Sequence, residues 1–168
     1  MSTGTLLGIY ICPVAGDPMQ QVEEVEAMAG VGLRGDRYFA GEGSWNKGEQ
    51  GKRQVTLIND LFFSGTHFTP AESRRNLVTG GIELMWHIGR EFQIGIVRFR
   101  GVRYCDPCSR PGKLSGKKES FRSEFFDRAG LIAEVTVSGV IRVGDPIISA
   151  RRDKPFGSVV EEYVNAMY

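Results

Sequence analysis

"LIAEVTVSGVIRVGDPIIS", Leu131 to Ser149, sets two runs rich in β-branched residues on either side of Ser138-Gly139. Such side chains are stiff at χ1 and pack well on a pleated surface, and a glycine-containing break suits a tight turn. The stretch predicts a β-hairpin. Upstream, "REFQIGIVRFRGVRYC" (Arg90 to Cys105) places apolar side chains at Phe92, Ile94 and Ile96, then at Val97 and Phe99. Gly95 and Gly101 are candidate bulges within it. "RQVTLIND" (Arg53 to Asp60), a short segment from Asn76 to Thr79, and the apolar residues 5–12 predict further strands.

Helix signals are fewer and shorter. "GDPMQQVEEVEAMAG" (Gly16 to Gly30) offers Asp17 as a cap, Pro18 at the first helical position and Gln20 at capping-box spacing. Met19, Val22, Val25 and Met28 recur at spacing three, so a helix ending at Gly30 is expected there, its stripe packed on the core. "TPAESRRNLVTGG" (Thr69 to Gly81) repeats the start chemistry with Thr69, Pro70 and Glu72. "KKESFRSEFFDRAG" (Lys117 to Gly130) predicts a short helix with Phe121, Phe125 and Phe126 inward. A last helix is expected in the tail, capped at Ser158 with Glu161 three residues on. The polar stretch from Gly41 to Gln54 is expected to be a mobile loop. Glycine is abundant, at 22 residues, and scattered rather than repetitive. There is no regular β-helix-β alternation and no internal repeat. The fold class expected is mainly β: a closed, antiparallel-rich or mixed β-barrel with a few short peripheral α-helices.

A chain of 168 residues fits one domain, here residues 1–150, with residues 151–168 as a tail. The net charge of +1 gives no global case for nucleic acid or an anionic membrane. The start of the chain has no basic residue before its short apolar run, and no apolar stretch approaches the roughly 20 residues of a membrane span. Three cysteines, an odd number, do not make a disulfide framework. The expectation is a cytoplasmic protein with reduced thiols.

Two of those cysteines form the C-x-x-C of "YCDPCSRPGKLSG" (Tyr104 to Gly116). Zinc would need two more ligands, and Cys12, His67 and His87 are isolated in sequence. A thioredoxin-type pair would need a helix starting at its first cysteine, but Pro111 and Gly112 intervene. Buried packing explains Cys12 and leaves Cys105 undecided. Cys108 lies beyond the strand in a turn. Between Ile96 and Arg122 there are eight basic residues (Arg98, Arg100, Arg103, Arg110, Lys113, Lys117, Lys118, Arg122) against Asp106 and Glu119. A positive surrounding favours negative charge, whether a thiolate or a bound anion. Arg98 and Arg100 suit equally a strand's solvated face; Arg110 and Lys113 flank the thiol. A second basic spot, Arg74, Arg75 and Asn76, offers bidentate donors for a phosphate or carboxylate. Asp36 beside Arg37 suits the organisation of a turn.

Taken in order, "GLRGDRYF", "RQVTLI", "SRRNLVTGG", "FQIGIVRFRGVRYCDPC" and "GLIAEVTVSGVIRVGDPI" resemble the MOSC domain family, named for the C-terminal domain of molybdenum cofactor sulfurases. The likeness runs from about Leu6 to Ile148. It implies a closed β-barrel and one essential cysteine, placed by the family's motif at Cys108. In relatives resembling the mitochondrial amidoxime-reducing component, that cysteine ligates molybdenum of a pyranopterin cofactor, molybdopterin. An R-x-N element, here Arg74 and Asn76, contacts the cofactor there, and Arg75, Lys113 and Arg37 join the expected cofactor-binding set. Neither the N-terminal barrel domain of those reductases nor the pyridoxal-phosphate domain of cofactor sulfurases occurs in these 168 residues. Pyridoxal phosphate is therefore not expected. The resemblance implies a stand-alone protein that reduces N-hydroxylated or N-oxygenated small molecules with a separate electron donor. The alternatives are a sulfur carrier, with a persulfide on Cys108 loaded by a sulfur donor protein, and a cofactor-binding module without turnover. The expected partners exclude nucleic acid and membrane and leave room for an oligomer.

Overall fold

In the computed structural model, which describes residues 3–149 and 164–167, strands dominate. In chain order they are β1 (Thr3–Ile11), β2 (Gln20–Val22), β3 (Glu24–Met28), β4 (Gly32–Leu33), β5 (Val55–Asn59) and β6 (Leu77–Gly80). Then come β7 (Glu91–Ile94), β8 (Val97–Tyr104), β9 (Leu131–Val137), β10 (Gly139–Arg142) and β11 (Pro146–Ser149). Three short α-helices, α1 (Pro70–Ser73), α2 (Arg110–Ser115) and α3 (Phe121–Glu124), and two 3-10 turns at Asp60–Phe63 and Met85–His87 lie between them. None of these helices is long and apolar enough to cross a membrane.

The barrel closes in the order β11-β7-β8-β9-β5-β6-β1, with β1 pairing back onto β11 and β2 hanging from the edge of β1. Among the described residues β5–β6 is the parallel pair in that ring, and its other pairings are antiparallel. Inward side chains such as Leu6, Leu57, Leu77, Phe99, Leu131 and Ile147 form the main core. A second cluster, Ile58, Phe68, Val78, Phe121, Phe125 and Ala129, fills the space outside the wall beneath α3. β5 is thus buried on both faces, which is why "VTLI" is continuously buried instead of alternating.

Three sequence expectations fail. The hairpin about Ser138-Gly139 does not form: β10 pairs with β3 in a separate three-stranded sheet, β10-β3-β4. β5 and β8 already occupy the two edges of β9, so no ladder is left for β10. The Ser138 Oγ instead accepts from Ala29 N–H at 2.8 Å, beside β3. The helix expected over residues 17–30 is replaced by β2 and β3. Glu24, Val25, Glu26 and Ala27 alternate out and in, and this period of two fits the sheet edge that β10 offers. Phe126 is 74% exposed while Phe121 and Phe125 are fully buried. Positions 121 and 125 are four apart on one face, and the next residue turns away from it.

Other expectations hold. Thr69 Oγ1 accepts from Glu72 N–H and Glu72 returns the bond, a complete capping box with Pro70 at the helix start. The register of β8 against β9 shifts between Gly101 and Arg103, a bulge as anticipated. The bulge expected at Gly95 does not form, since Gly95 lies in the turn between β7 and β8. Gly130 is required by close approach: a Cβ there would collide with the Leu57 carbonyl, and its φ is +110°. The helix expected from Ser158 falls outside the described residues, apart from a helical turn at 164–167.

Candidate functional site

Strand register gathers the basic residues and the thiol. Leu57 pairs with Leu77 on one side and with Leu131 on the other, and Leu131 pairs with Tyr104. The segments before Leu77, before Leu131 and after Tyr104 therefore meet, carrying Arg74 to Asn76, Ala129 and the two cysteines. Arg75 spans the junction, donating through Nε to the Ala129 carbonyl at 2.7 Å.

The two cysteines part company here. Cys105 is 2% exposed, with its N–H bonded to the Gly130 carbonyl. Cys108 is half-buried and lines a pocket of about 30 Å³ with Arg37, Tyr38, Trp45, Arg74, Arg75 and Arg110. A larger cleft of about 220 Å³ lies alongside, walled by Pro18, Met19, Ala71, Glu72, Leu114 and others. Arg74 and Pro111 belong to both.

Each arginine is fixed separately. Asp36 organises the turn: its Oδ1 accepts from Cys12 N–H at 2.9 Å and from Arg37 Nη1 at 3.0 Å, and its Oδ2 from Tyr38 N–H at 3.0 Å. Arg37 Nη2 donates to Tyr38 Oη and to the Arg74 carbonyl. Burial works against the Arg37 charge, but Tyr38, Asp36 and Cys12 outweigh it and hold its pKa above the ordinary value. Arg74 caps α1 in the left-handed region, at φ +62°, an uncommon place for a non-glycine residue. Its Nη1 donates to the Asp17 carbonyl at 2.8 Å and its Nη2 to Cys12 Sγ at 3.4 Å. Burial and the neighbouring charge of Arg37 pull the Arg74 pKa down. Arg75 also donates to the Ser73 carbonyl, while its buried Nη2 has no partner among the described residues.

Arg37, Arg74 and Arg75 are all buried, and among the described residues the Arg37–Asp36 pair is the ion pair that any of them makes. Burying net positive charge without a counterion is costly. The arrangement is suited to an anion beside a soft sulfur ligand.

Two expected site residues are placed differently. Asn76 is fully buried and committed to the barrel: its Oδ1 accepts from Thr56 N–H and Oγ1, and its Nδ2 donates to the Tyr10 carbonyl. It clamps β5, β6 and β1 together and so positions Arg74 and Arg75. Lys113 is exposed on α2 and lines neither pocket, whereas Arg110 lines the one at Cys108. Much of the basic excess counted from Ile96 onward is surface charge. Arg98 and Arg100 lie on the outer face of β8, and Arg100, Arg103 and Lys117 pair with Glu134, Asp106 and Glu72. The histidines take other partners, His67 with Glu124 and His87 with Ser149.

Trp45 was not anticipated. It sits in the polar loop expected to be mobile, yet that loop is tied down by Asn46, whose Nδ2 donates to the carbonyls of Tyr38, Glu49 and Arg53. A lone tryptophan among Gly, Ser and Asn was the available signal.

A family model described as MOSC domain matches residues 49–148. No curated protein matches the chain. Among solved structures, the chain is similar to the YUAD protein from Bacillus subtilis, with 18% identity, 86% of this chain and 94% of that chain covered, and a TM-score of 0.68. It is also similar to YiiM from Geobacillus stearothermophilus, with 15% identity, coverage of 96% and 82%, and a TM-score of 0.66. YiiM from Escherichia coli gives 16% identity, coverage of 90% and 70%, and a TM-score of 0.59. At these identities the likeness establishes a shared fold.

Proposed function

The chain belongs to the MOSC domain family, and from that premise we propose that it binds molybdenum cofactor with Cys108 as the metal's sulfur ligand and reduces N-oxygenated small molecules. The observation that carries the proposal is the excess of buried guanidinium charge around a half-buried thiol, with Arg75 Nη2 left unpartnered among the described residues. The residues fit such a group. A thiolate is a soft donor for a thiophilic metal, and planar guanidinium forks suit a phosphate. Cys108 would hold the metal, and Arg37, Arg74, Arg75 and Arg110 the anionic portion. The cofactor would supply a redox centre able to remove oxygen from an N–O bond. Two electrons and two protons convert an N-hydroxyl group to N–H and water, and the electrons come from a separate flavin or iron–sulfur protein.

The chain's own residues do the preparatory work. Asp36 fixes the fork of Arg37, and Asn76 fixes the backbone from which Arg74 and Arg75 project. Arg74's hydrogen bonds to Asp17 and Cys12 keep its charge between the two pockets.

The test is elemental and pterin analysis of protein purified from a molybdate-fed host that makes the cofactor. Close to one molybdenum per chain is expected, lost in Cys108→Ala and kept in Cys105→Ala. Protein without molybdenum or pterin would refute the proposal. A stable extra sulfur on Cys108 by mass spectrometry, after exposure to a sulfur donor, would then favour persulfide transfer.

A further inference from the structure

The second core cluster is open on one side. Four aromatic side chains, Tyr10, Phe62, Phe63 and Tyr104, pack against it and stay half-buried. Beyond them stand Phe126 at 74% and Leu61 at 73% exposure, the two most exposed large apolar side chains among the described residues. The segments that carry them abut. The Phe63 and Phe125 ring centres lie 5.4 Å apart, and the Arg128 guanidinium sits 6.0 Å from the centre of the Phe62 ring.

Both tips project from fixed backbone. Tyr104 Oη donates to the Phe126 carbonyl at 2.9 Å and accepts from Ala129 N–H. Asn59 Oδ1 accepts from Leu61 N–H at 3.1 Å. A pre-ordered apolar surface loses little further entropy when it is covered. Aromatic side chains at the centre of a patch and charge at its edge are the composition of a protein–protein interface. None of these residues lines the Cys108 pocket or the neighbouring cleft, so the face is separate from the candidate site.

The charges at the rim select the occupant. Asp60 adjoins Leu61, Asp127 and Arg128 follow Phe126, and Arg122 stands about one helical turn before it; all four are exposed. Two acids and two bases thus share one rim. A two-fold contact sets a surface against its own copy, so its rim must carry both signs. An anionic lipid surface, or a partner of one charge sign, calls for an excess of the opposite sign, which this rim lacks. The described turn near the chain's end, 164–167, serves the other cluster, since Ala166 packs on the main core.

We propose that this face is the interface of a homodimer, in which Phe126 and Leu61 of each copy cover the aromatic flank of the other. The face is narrow, at the low end of interface sizes (under about 1,200 Å²), and gives a weak dimer with a dissociation constant on the order of 10–100 µM. At low micromolar concentration the monomer prevails, and there Phe126→Ala leaves the melting temperature nearly unchanged.

Sedimentation velocity over about 5–500 µM is the test. The wild-type protein should pass from monomer to dimer across that range. Phe126→Asp should weaken association at least about tenfold while keeping the wild-type circular dichroism spectrum and low-concentration melting temperature. Two rim variants then identify the occupant. Asp60→Lys with Asp127→Lys leaves a rim of one sign, and Arg122→Glu with Arg128→Glu a rim of the other, so each alone should stay monomeric. Mixed one to one, they should form a heterodimer at least as tight as the wild-type dimer. A wild-type protein still monomeric at about 500 µM, an association untouched by Phe126→Asp, or a mixture that associates no better than its components would overturn the proposal. A monomer that binds phosphatidylserine vesicles through Phe126 would give the face to a lipid surface instead.

Discussion

Replacing Asp36 with asparagine removes the carboxylate that pairs with the buried Arg37. In the native arrangement both carboxylate oxygens are used, Oδ1 by Cys12 N–H and Arg37 Nη1, Oδ2 by Tyr38 N–H. The substituted amide would set its NH2 against one of those donors and leave Arg37 buried beside Arg74 with no counterion. Removing one partner of a buried pair costs about 3–5 kcal/mol. For a domain of this size each kcal/mol moves Tm by about 2–4 °C, so a fall of about 6–20 °C is expected by calorimetry. The companion variant is Arg37→Met, alone and combined with Asp36→Asn. Because the asparagine's harm comes largely from an orphaned charge, the double variant should be less destabilised than the sum of the singles by about 2 kcal/mol. Urea unfolding of the four proteins measures this directly. An Asp36→Asn cost below about 1 kcal/mol, or strict additivity, would refute the electrostatic account of the site.

Asn76→Ala should cost about 3 kcal/mol or more in urea unfolding, because it strands the Thr56 N–H and hydroxyl and the Tyr10 carbonyl at once. A variant of native stability that fails to retain molybdenum would instead make Asn76 a ligand contact. Burial pushes the His87 pKa down to about 4 from 6.5, with the charge of Arg90 adding to it. The unfolded chain therefore takes up this proton first, and stability falls as pH drops from about 6.5 towards about 4, by at most about 3 kcal/mol. His87→Phe, which can still pack on Phe92, should lose correspondingly less stability than wild type between pH 7 and pH 4.5. Phe121→Ala should cost about 3–5 kcal/mol and Phe126→Ala under about 0.5 kcal/mol, a contrast read from thermal melts.

What was legible in the sequence was local or strongly patterned. The capping box at Thr69 to Glu72 is complete within four residues, and the β7–β8 pair announces itself by alternation. Residues 17–30 and the segment after Ser138 misled for one shared reason. Val25 satisfies both a spacing of three from Val22 and an alternation with Ala27, and only the presence of β10 alongside chooses the strand. Ser138-Gly139 is a sound turn signal, but whether the next strand folds back depends on the edges of β9 being free, which β5 and β8 decide. The site shows the same division. Cys108, Arg37, Arg74 and Arg75 do line one pocket, whereas Asn76 turns its amide into the wall and Lys113 stays outside. Trp45 carries little sequence signal because its loop is polar throughout, and the order there comes from the bonds of Asn46 across it.

The pairing of β1 with β11 sets Thr3 opposite Ile148 and Thr5 opposite Pro146. The seam of the barrel is thus stitched by segments from opposite extremes of the described domain. A chain emerging from the ribosome can form the β7–β8 hairpin early, but it cannot close the cylinder until Pro146–Ser149 is available. Until then β1 and β7 each expose an unpaired edge, the condition under which nascent β-proteins stick to one another. Joining the seam's two sides by a short linker and opening the chain in the loop near Gly48 would convert this last, longest-range contact into a local one. The resulting permutant should fold faster than the natural order of strands allows.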